Sequence, residues 1–151
     1  MVGYSRKIDP ERSAQAIGRE LRISVKHAVE ICSVLRGMNI EKAKNYLEDV
    51  IKLEQPVPFK RYKRCVGHRK GKGFGPGRFP QNAAKAILRL VESAESNAEY
   101  KGLDPDNMVI THISANRGRV FQGWHPRARG RSSPWNVETT NVEIILKEME
   151  E

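Results

Sequence analysis

The 21 residues 116–136 connect two segments that have the pattern of β-strands, and this connection most limits the folds open to the chain. The preceding segment, 108–115, is β-branched and roughly alternating, and the following one, 137–147, places its aliphatic residues on one face. Connections this long are uncommon inside compact domains and are usually functional or disordered. Because this one has few large aliphatic residues, we expect a protruding hairpin that lies against another molecule.

Positive charge is concentrated in two parts of the chain. The net charge is +9, with 27 Lys and Arg against 18 Asp and Glu. Fifteen of those 27 cations lie between Glu54 and Glu92 or between Asp106 and Glu138, where there is no acidic residue. A solvated protein surface usually mixes positive and negative side chains, because charges of one sign repel each other. A surface with positive charge alone is tolerated where a polyanion neutralises it. Nucleic acid is therefore the first partner to consider, ahead of an anionic membrane, and a disordered basic loop without a partner is the alternative.

Helical spacing of apolar residues predicts three helices. The first follows an N-cap at Ser24 and ends at Gly37, and the second follows an N-cap at Asn39. The third has Pro80 in its first turn and Gly102 as its C-terminal cap. The segment before Ser24 is consistent with an early strand or a turn.

The predicted fold class is α+β, with three helices packed on a small antiparallel sheet and a long protruding basic β-hairpin. We expect a single domain over residues 1–151. Within it, residues 56–80 form a basic, glycine-rich segment, and residues 116–136 form an extended hairpin, called the arm below.

Several other kinds of protein are disfavoured by the sequence. No apolar run approaches the ~18 residues of a membrane span, and residues 1–13 lack the apolar region of a secretory signal. The glycines of GHRKGKGFGPG have neither Walker A nor dinucleotide spacing. Cys65 and His68 make only half of a zinc site, and Cys32 fits a core position. The histidines have no recognisable catalytic context. We therefore expect no cofactor, no metal, no enzymatic activity, no membrane association and no homo-oligomer.

The arm carries the chemistry of RNA contact. Arginine forks onto phosphates and stacks on bases, and Trp124, His125 and Trp135 offer flat faces beside the arginines. The glycines of the arm lack Cβ atoms, so the backbone can pass close to a neighbouring group. The alternative is a flexible loop whose tryptophans fold back on the core.

The C-terminal part of the chain resembles the universal large-subunit ribosomal protein family L twenty-two. The family's signature begins with a polar residue. After four further positions come, in order, a basic residue, a small residue, any residue, a glycine and a polar or basic residue. After nine more residues, a His, Asp or Asn leads an alternating aliphatic strand. Every position fits in this sequence. The matching residues are Gln122, Arg127, Ala128, Arg129, Gly130, Arg131, Asn141, Val142, Ile144 and Leu146.

The resemblance extends to the three helices and covers most of residues 19–148. The segment RISVKHAVEICSVLRGMNIEKAKNYL is similar to the family's first two helices, and AAKAILRLVESAESNAEYKGLD to its third. Residues 56–80 are longer than in bacterial members and resemble an insertion of archaeal and eukaryotic ones, so this segment is called the insertion. The short C-terminus is more similar to that of an archaeal member than to that of a longer eukaryotic one.

The resemblance implies a structural constituent of the large ribosomal subunit, placed in the cytoplasm within the ribosome. Its implied partners are large-subunit rRNA, neighbouring large-subunit proteins and the nascent peptide. The expected tunnel-lining tip of the arm is Arg127, Ala128, Arg129, Gly130 and Arg131. The residues expected to bind rRNA, with those of the insertion chosen by charge alone, are Arg22, Lys26, His27, Lys60, Arg61, Lys63, Arg64, Arg69, Lys70, Lys72, Arg78, Arg117, Arg119, Trp124, His125 and Trp135.

Two other functions remain open from the residues alone. A free-standing, architectural nucleic-acid-binding module would share the charge pattern without needing a ribosome. An RNA-processing enzyme would use histidine and arginine in phosphodiester chemistry.

Overall fold

Three helices pack on a three-stranded antiparallel sheet through one hydrophobic core. The computed structural model describes residues 4–6, 12–70 and 75–148. The main elements are β1 (Ser13–Leu21), α1 (Val25–Leu35), α2 (Ile40–Ile51), β2 (Val57–Pro58), β3 (Gly77–Arg78), α3 (Gln81–Tyr100), β4 (Met108–Phe121), β5 (Trp124–Pro126), β6 (Ser132–Pro134) and β7 (Val137–Glu148). A single 3-10 turn, Pro105–Asn107, precedes β4. The predicted α+β fold class is confirmed.

The last strand is the centre of the sheet. Strand β7 pairs antiparallel with β1 on one side and β4 on the other, so the order is β1-β7-β4. Because neighbouring side chains of a strand point to opposite faces, the complete burial of both Ile144 and Ile145 means that both faces of β7 are covered. The face that carries Val142, Ile144 and Leu146 contributes to the core shared with the helices.

The helices begin and end close to the predicted positions. The side chain of Asn39 accepts a hydrogen bond from the backbone N–H of Glu41, at 3.1 Å, and so caps α2. Gly37 ends α1 with a φ of +83°, and its N–H donates to the carbonyl of Ile110 in β4 at 2.9 Å. Pro80 lies one residue before α3 rather than within its first turn, and its carbonyl accepts the first helical hydrogen bond.

The strands differ from the prediction at two places. Residues 13–21, which the sequence left undecided, form β1. Strand β4 continues to Phe121, six residues beyond Ala115, because its backbone groups pair with β7 whether or not the side chains are aliphatic. The arm thus starts as a continuation of the central sheet.

The insertion is tied to the domain at both ends. Val57 and Phe59 are buried in the shared core, and β2 pairs with β3 so that residue 57 faces residue 78. Residues 71–74, between these ends, lie outside the described residues.

Candidate nucleic-acid interface

Three adjoining cavities run along one side of the domain, and together they are called the basic groove. Their volumes are about 480, 320 and 520 Å³, in order from the base of the arm to the insertion. The first and second share Ser24, Lys26 and Tyr62, and the second and third share His27 and Arg78. Eight predicted rRNA-binding residues line the groove: Arg22, Lys26, His27, Arg61, Arg64, Arg69, Arg78 and Arg117.

A buried carboxylate of α1 holds the start of the insertion in place. Glu30 is 1% exposed and accepts hydrogen bonds from three consecutive backbone N–H groups. The donors are Lys60 at 3.0 Å, Arg61 at 2.9 Å and Tyr62 at 2.6 Å. A buried carboxylate needs such donors, because an unpaired one would carry a large desolvation cost. The side chains of residues 60–62 therefore extend from a backbone that is held in place, rather than from a free loop.

Aromatic rings lie among the cations of the groove. Lys26 Nζ is 5.8 Å and Arg61 Cζ is 5.6 Å from the centre of the Tyr62 ring, within cation–π range. His27 contacts Phe59 edge to face, with ring centres 5.6 Å apart. The groove thus combines positive charge with flat apolar faces, the combination that binds single-stranded nucleic acid.

The pKa of His27, in the groove, is lowered from its ordinary value. Burial lowers that pKa, and the nearby positive charge of Arg78 lowers it further. The lowered pKa favours the neutral ring, in which one nitrogen can donate and the other can accept a hydrogen bond.

The base of the arm is a close-packed two-stranded ladder. Residues 116, 117, 120 and 121 of β4 pair with residues 141, 140, 138 and 137 of β7, with a register shift between 117 and 120. A Cβ atom on Gly118 would lie 2.5 Å from Thr139 Oγ1, which itself donates to the carbonyl of Arg119. A Cβ atom on Gly123 would lie 2.7 Å from the carbonyl oxygen of Trp135. The close approach that these two glycines allow is to the arm's own second strand.

The tip of the arm is a tight turn between β5 and β6. The backbone N–H of Arg127 donates to the carbonyl of Arg131 at 2.8 Å, and its Nε donates to Ser133 Oγ at 3.0 Å. Arg129 and Gly130 both have left-handed backbones, with φ of +60° and +65°. All five predicted tip residues are exposed, so the turn presents three guanidinium groups outward.

The arm also carries exposed aromatic rings. Trp124 is 70% and Trp135 is 64% exposed, and the rings of His125 and Trp135 are 5.5 Å apart. Arg119 lies over the ring of Phe121, with Cζ 5.5 Å from the ring centre. The tryptophans therefore do not fold back on the core, which was the alternative left open by the sequence.

Three other predicted residues of the insertion lie apart from the groove. Lys60, Lys63 and Lys70 are exposed on the insertion and line none of the three cavities, and Lys72 lies outside the described residues. Arg117, at the end of the groove, forms an exposed ion pair with Glu138 at 3.1 Å.

Sequence reasoning missed Glu30 and Tyr62. Glu30 stands between Val29 and Ile31 in an otherwise apolar stretch of α1, and a buried acid there has to find donors elsewhere in the chain. Tyr62 is flanked on both sides by cations, and this interleaving of an aromatic ring with positive charge was the available signal.

Sequence reasoning also missed a polar cluster on the other face of the sheet. Glu143 of β7 is 4% exposed and accepts from Ser114 Oγ at 2.7 Å and from the backbone N–H of Ser5 at 2.9 Å. His112 Nε2 lies 3.2 Å from the same carboxylate. Burial raises the pKa of Glu143, but the hydrogen bonds from these partners outweigh burial and hold the pKa at about 2. The cluster fastens residue 5 to the sheet.

Two further observations concern metals and membranes. Within residues 4–6, 12–70 and 75–148, no group of three or more His, Cys, Asp or Glu side chains could hold a metal ion. Cys32 is buried, and burial raises the pKa of its thiol to about 12. None of the helices in the described part of the chain has both the length and the apolar character needed to cross a membrane.

Comparison with known proteins gives one consistent answer. Residues 16–147 match the family described as ribosomal protein L22p/L17e. The chain is 54% identical to large ribosomal subunit protein uL22 of Methanopyrus kandleri over 144 residues, which cover 94% of this chain and 91% of that protein. It is 50% identical to the protein of the same name from Methanococcoides burtonii and 54% identical to that from Methanothrix thermoacetophila, in each case over 98% of this chain and 97% of the relative.

These matches include the helices, the insertion and the arm, so they concern the whole architecture rather than one motif. The chain belongs to the ribosomal protein L22p/L17e family, in its archaeal form.

Proposed function

We propose that this protein is a structural constituent of the large ribosomal subunit, which it joins by binding rRNA through the basic groove and the arm. One observation carries the proposal: eight separately predicted rRNA-binding residues come together along the groove, at the foot of a cationic arm. The curated relatives named above are large-subunit proteins. The role requires shape and charge and no catalytic group, and its site of action is the ribosome.

The groove supports binding to the RNA backbone. Each phosphate neutralised by Lys or Arg releases counterions, and the affinity falls with salt by a slope of about −0.9 per contact on a duplex and about −0.7 on a single strand. Because Glu30 fixes the backbone of the insertion, less conformational entropy is lost when its side chains bind. Specificity then comes from the fit to a folded RNA rather than from base edges.

The arm supports a second mode of contact. Its strands are paired at residues 116–121 with β7 and again between β5 and β6, with a register shift between 117 and 120. Its rings are exposed, and its tip presents Arg127, Arg129 and Arg131 from a tight turn. We infer that Arg117, Arg119, Trp124, His125 and Trp135 contact rRNA along the arm. The tip, with Ala128 and Gly130, lines the passage of the nascent peptide.

The insertion (56–80) and the arm (116–136) are thus two contact units on a single domain. The helices and the central sheet hold them at a fixed spacing, and neighbouring large-subunit proteins are the expected protein partners. Lys60, Lys63, Lys70 and Lys72 belong to the same proposed RNA-binding set.

Sedimentation of native extract through sucrose gradients at low and high salt tests the proposal. We expect the protein to travel with the large subunit and to remain there after a high-salt wash, because a threaded arm cannot leave without RNA unfolding. Release into light fractions at moderate salt would overturn the proposal and favour a free-standing nucleic-acid-binding module.

A further inference from the structure

The middle cavity of the basic groove differs from its neighbours in its size and lining. Its volume of about 320 Å³ is at the lower end of the ~300–1,000 Å³ typical of small-ligand sites. Its lining includes the buried Phe59 and the half-buried Tyr62 and His27. Lys26, Arg61, Arg64 and Arg78 also line it. Among the described residues, no carboxylate does so.

The charge of this cavity is suited to phosphate. In the described structure, the side chain of Ser24 makes no capping hydrogen bond, and the first turn of α1 contains no acid. The free N–H groups of that turn therefore add their partial positive charge to the cations around the cavity. Glu30, the nearest acid on the same helix, is already occupied by three backbone donors.

The aromatic lining is suited to a base. Lys26 Nζ and Arg61 Cζ both lie over the half-buried Tyr62 ring, and both side chains are exposed. A base that displaces one of them can stack on the ring, and stacking excludes no type of base. His27 lines the same cavity, burial favours its neutral form, and the neutral ring can hydrogen-bond to a base edge. A duplex cannot use such a cavity, because its bases are stacked and paired; an extruded or bulged nucleotide can.

We propose that the middle cavity binds one unstacked nucleotide of RNA, with the base against the Tyr62 ring and its phosphates against the surrounding cations. This deepens the proposed function and rests on it for the source of the RNA. The insertion and α1 together form the cavity. It therefore recognises the shape of the RNA, in addition to the general electrostatic contacts of the groove.

The test measures binding of the full-length protein to three RNA duplexes of one sequence, at a fixed salt concentration. One duplex is fully paired, one has a single bulged nucleotide, and one has an abasic residue at the bulge. We expect the bulged duplex to bind about fivefold tighter or more than the other two, since one stacked base contributes that much. Equal affinity for all three would overturn the proposal.

Variants locate the effect in the cavity. Tyr62→Leu should abolish the preference for the bulge, and Tyr62→Phe should keep it. Tyr100→Leu is the matched control, because Tyr100 is 94% exposed at the end of α3, outside the groove. If Trp124→Leu or Trp135→Leu removes the preference instead, the base binds the arm and the assignment to the cavity is wrong.

Two further measurements separate the other outcomes. Saturable binding of free AMP or UMP at micromolar concentration would show a mononucleotide site and overturn the proposal for RNA. Sedimentation of the wild-type protein and Tyr62→Leu with the large subunit is measured in parallel. Absence of the wild type from subunits would overturn the proposed function, whereas a bulge preference absent in a subunit-bound protein overturns only the cavity proposal.

Discussion

The backbone N–H of Tyr62 lies 2.6 Å from the carboxylate of Glu30, a residue 32 positions earlier in the chain. This hydrogen bond and its two neighbours attach a strongly basic segment to α1 through its backbone. The cationic side chains of this segment stay exposed, because the Glu30 carboxylate accepts hydrogen bonds from backbone N–H groups and not from the arginine side chains. The domain can therefore hold the insertion rigidly without neutralising the insertion's own charges that face the groove.

Replacing Glu30 by Ala should loosen the insertion. Three backbone N–H groups would lose their acceptor, and hydrogen bonds to a charged group contribute about 1.5–3 kcal/mol each before non-additivity. We expect the free energy of unfolding to fall by about 2–4 kcal/mol, the range seen when a buried polar network is broken. Urea denaturation and amide exchange at residues 60–62 measure it. Glu92→Ala, at an exposed position of α3, is the control and should change neither.

The stability of the domain should depend on pH through Glu143. Its pKa is lowered to about 2 in the folded protein, from an ordinary value of 4.5. The ionised cluster therefore stabilises the fold fully above pH 4.5, and this stabilisation is lost as the pH falls towards 2. A shift of this size corresponds to roughly 3 kcal/mol at 1.36 kcal/mol per pKa unit. Glu143→Gln should be less stable than the wild type at pH 7 and approach it at pH 2.5 in urea titrations. Parallel stability curves for the two proteins would contradict the assignment.

Gly118→Ala should distort the arm at its base. The added Cβ atom would meet Thr139 Oγ1 at 2.5 Å, and that hydroxyl is held by its bond to the carbonyl of Arg119. Overpacking of this kind costs about 1–3 kcal/mol, which should appear as a lower thermal midpoint and altered fluorescence of the arm's tryptophans. Gly67→Ala is the matched control, because no described atom lies within 4 Å of its added Cβ. A midpoint equal to the control would show that the ladder can open at no cost.

Replacing Arg127, Arg129 and Arg131 together by Ala should separate folding from assembly. All three are exposed, and the tip turn is closed by a backbone hydrogen bond, so circular dichroism and the thermal midpoint should stay close to those of the wild type. Incorporation into large subunits, or the passage of nascent peptides, should be impaired, because the tip loses its three exposed positive charges. Normal incorporation together with normal peptide passage would contradict a role for the tip.

The elements of the fold could be predicted from local pattern. The helices α1, α2 and α3 follow from apolar spacing with Asn39, Gly37 and Gly102 at their ends, and the two long strands follow from alternation. The length of β4 could not be predicted, because residues 116–121 pair through backbone groups whose register depends on β7. The signature from Gln122 onward identified the family without any knowledge of the fold.

The sequence by itself determined where the positive charge lies, which segments are helical or extended, and to which family the chain belongs, since these depend on residue type and near-neighbour spacing. Only the tertiary structure decided that Glu30 anchors the insertion, that α1, the insertion and the base of the arm share one groove, and that Gly118 and Gly123 serve the arm's own strand pairing. These features join residues more than a hundred positions apart, as between Arg22 and Glu138 in one cavity. The geometry of such contacts is set by sheet register and core packing, which no local sequence pattern encodes.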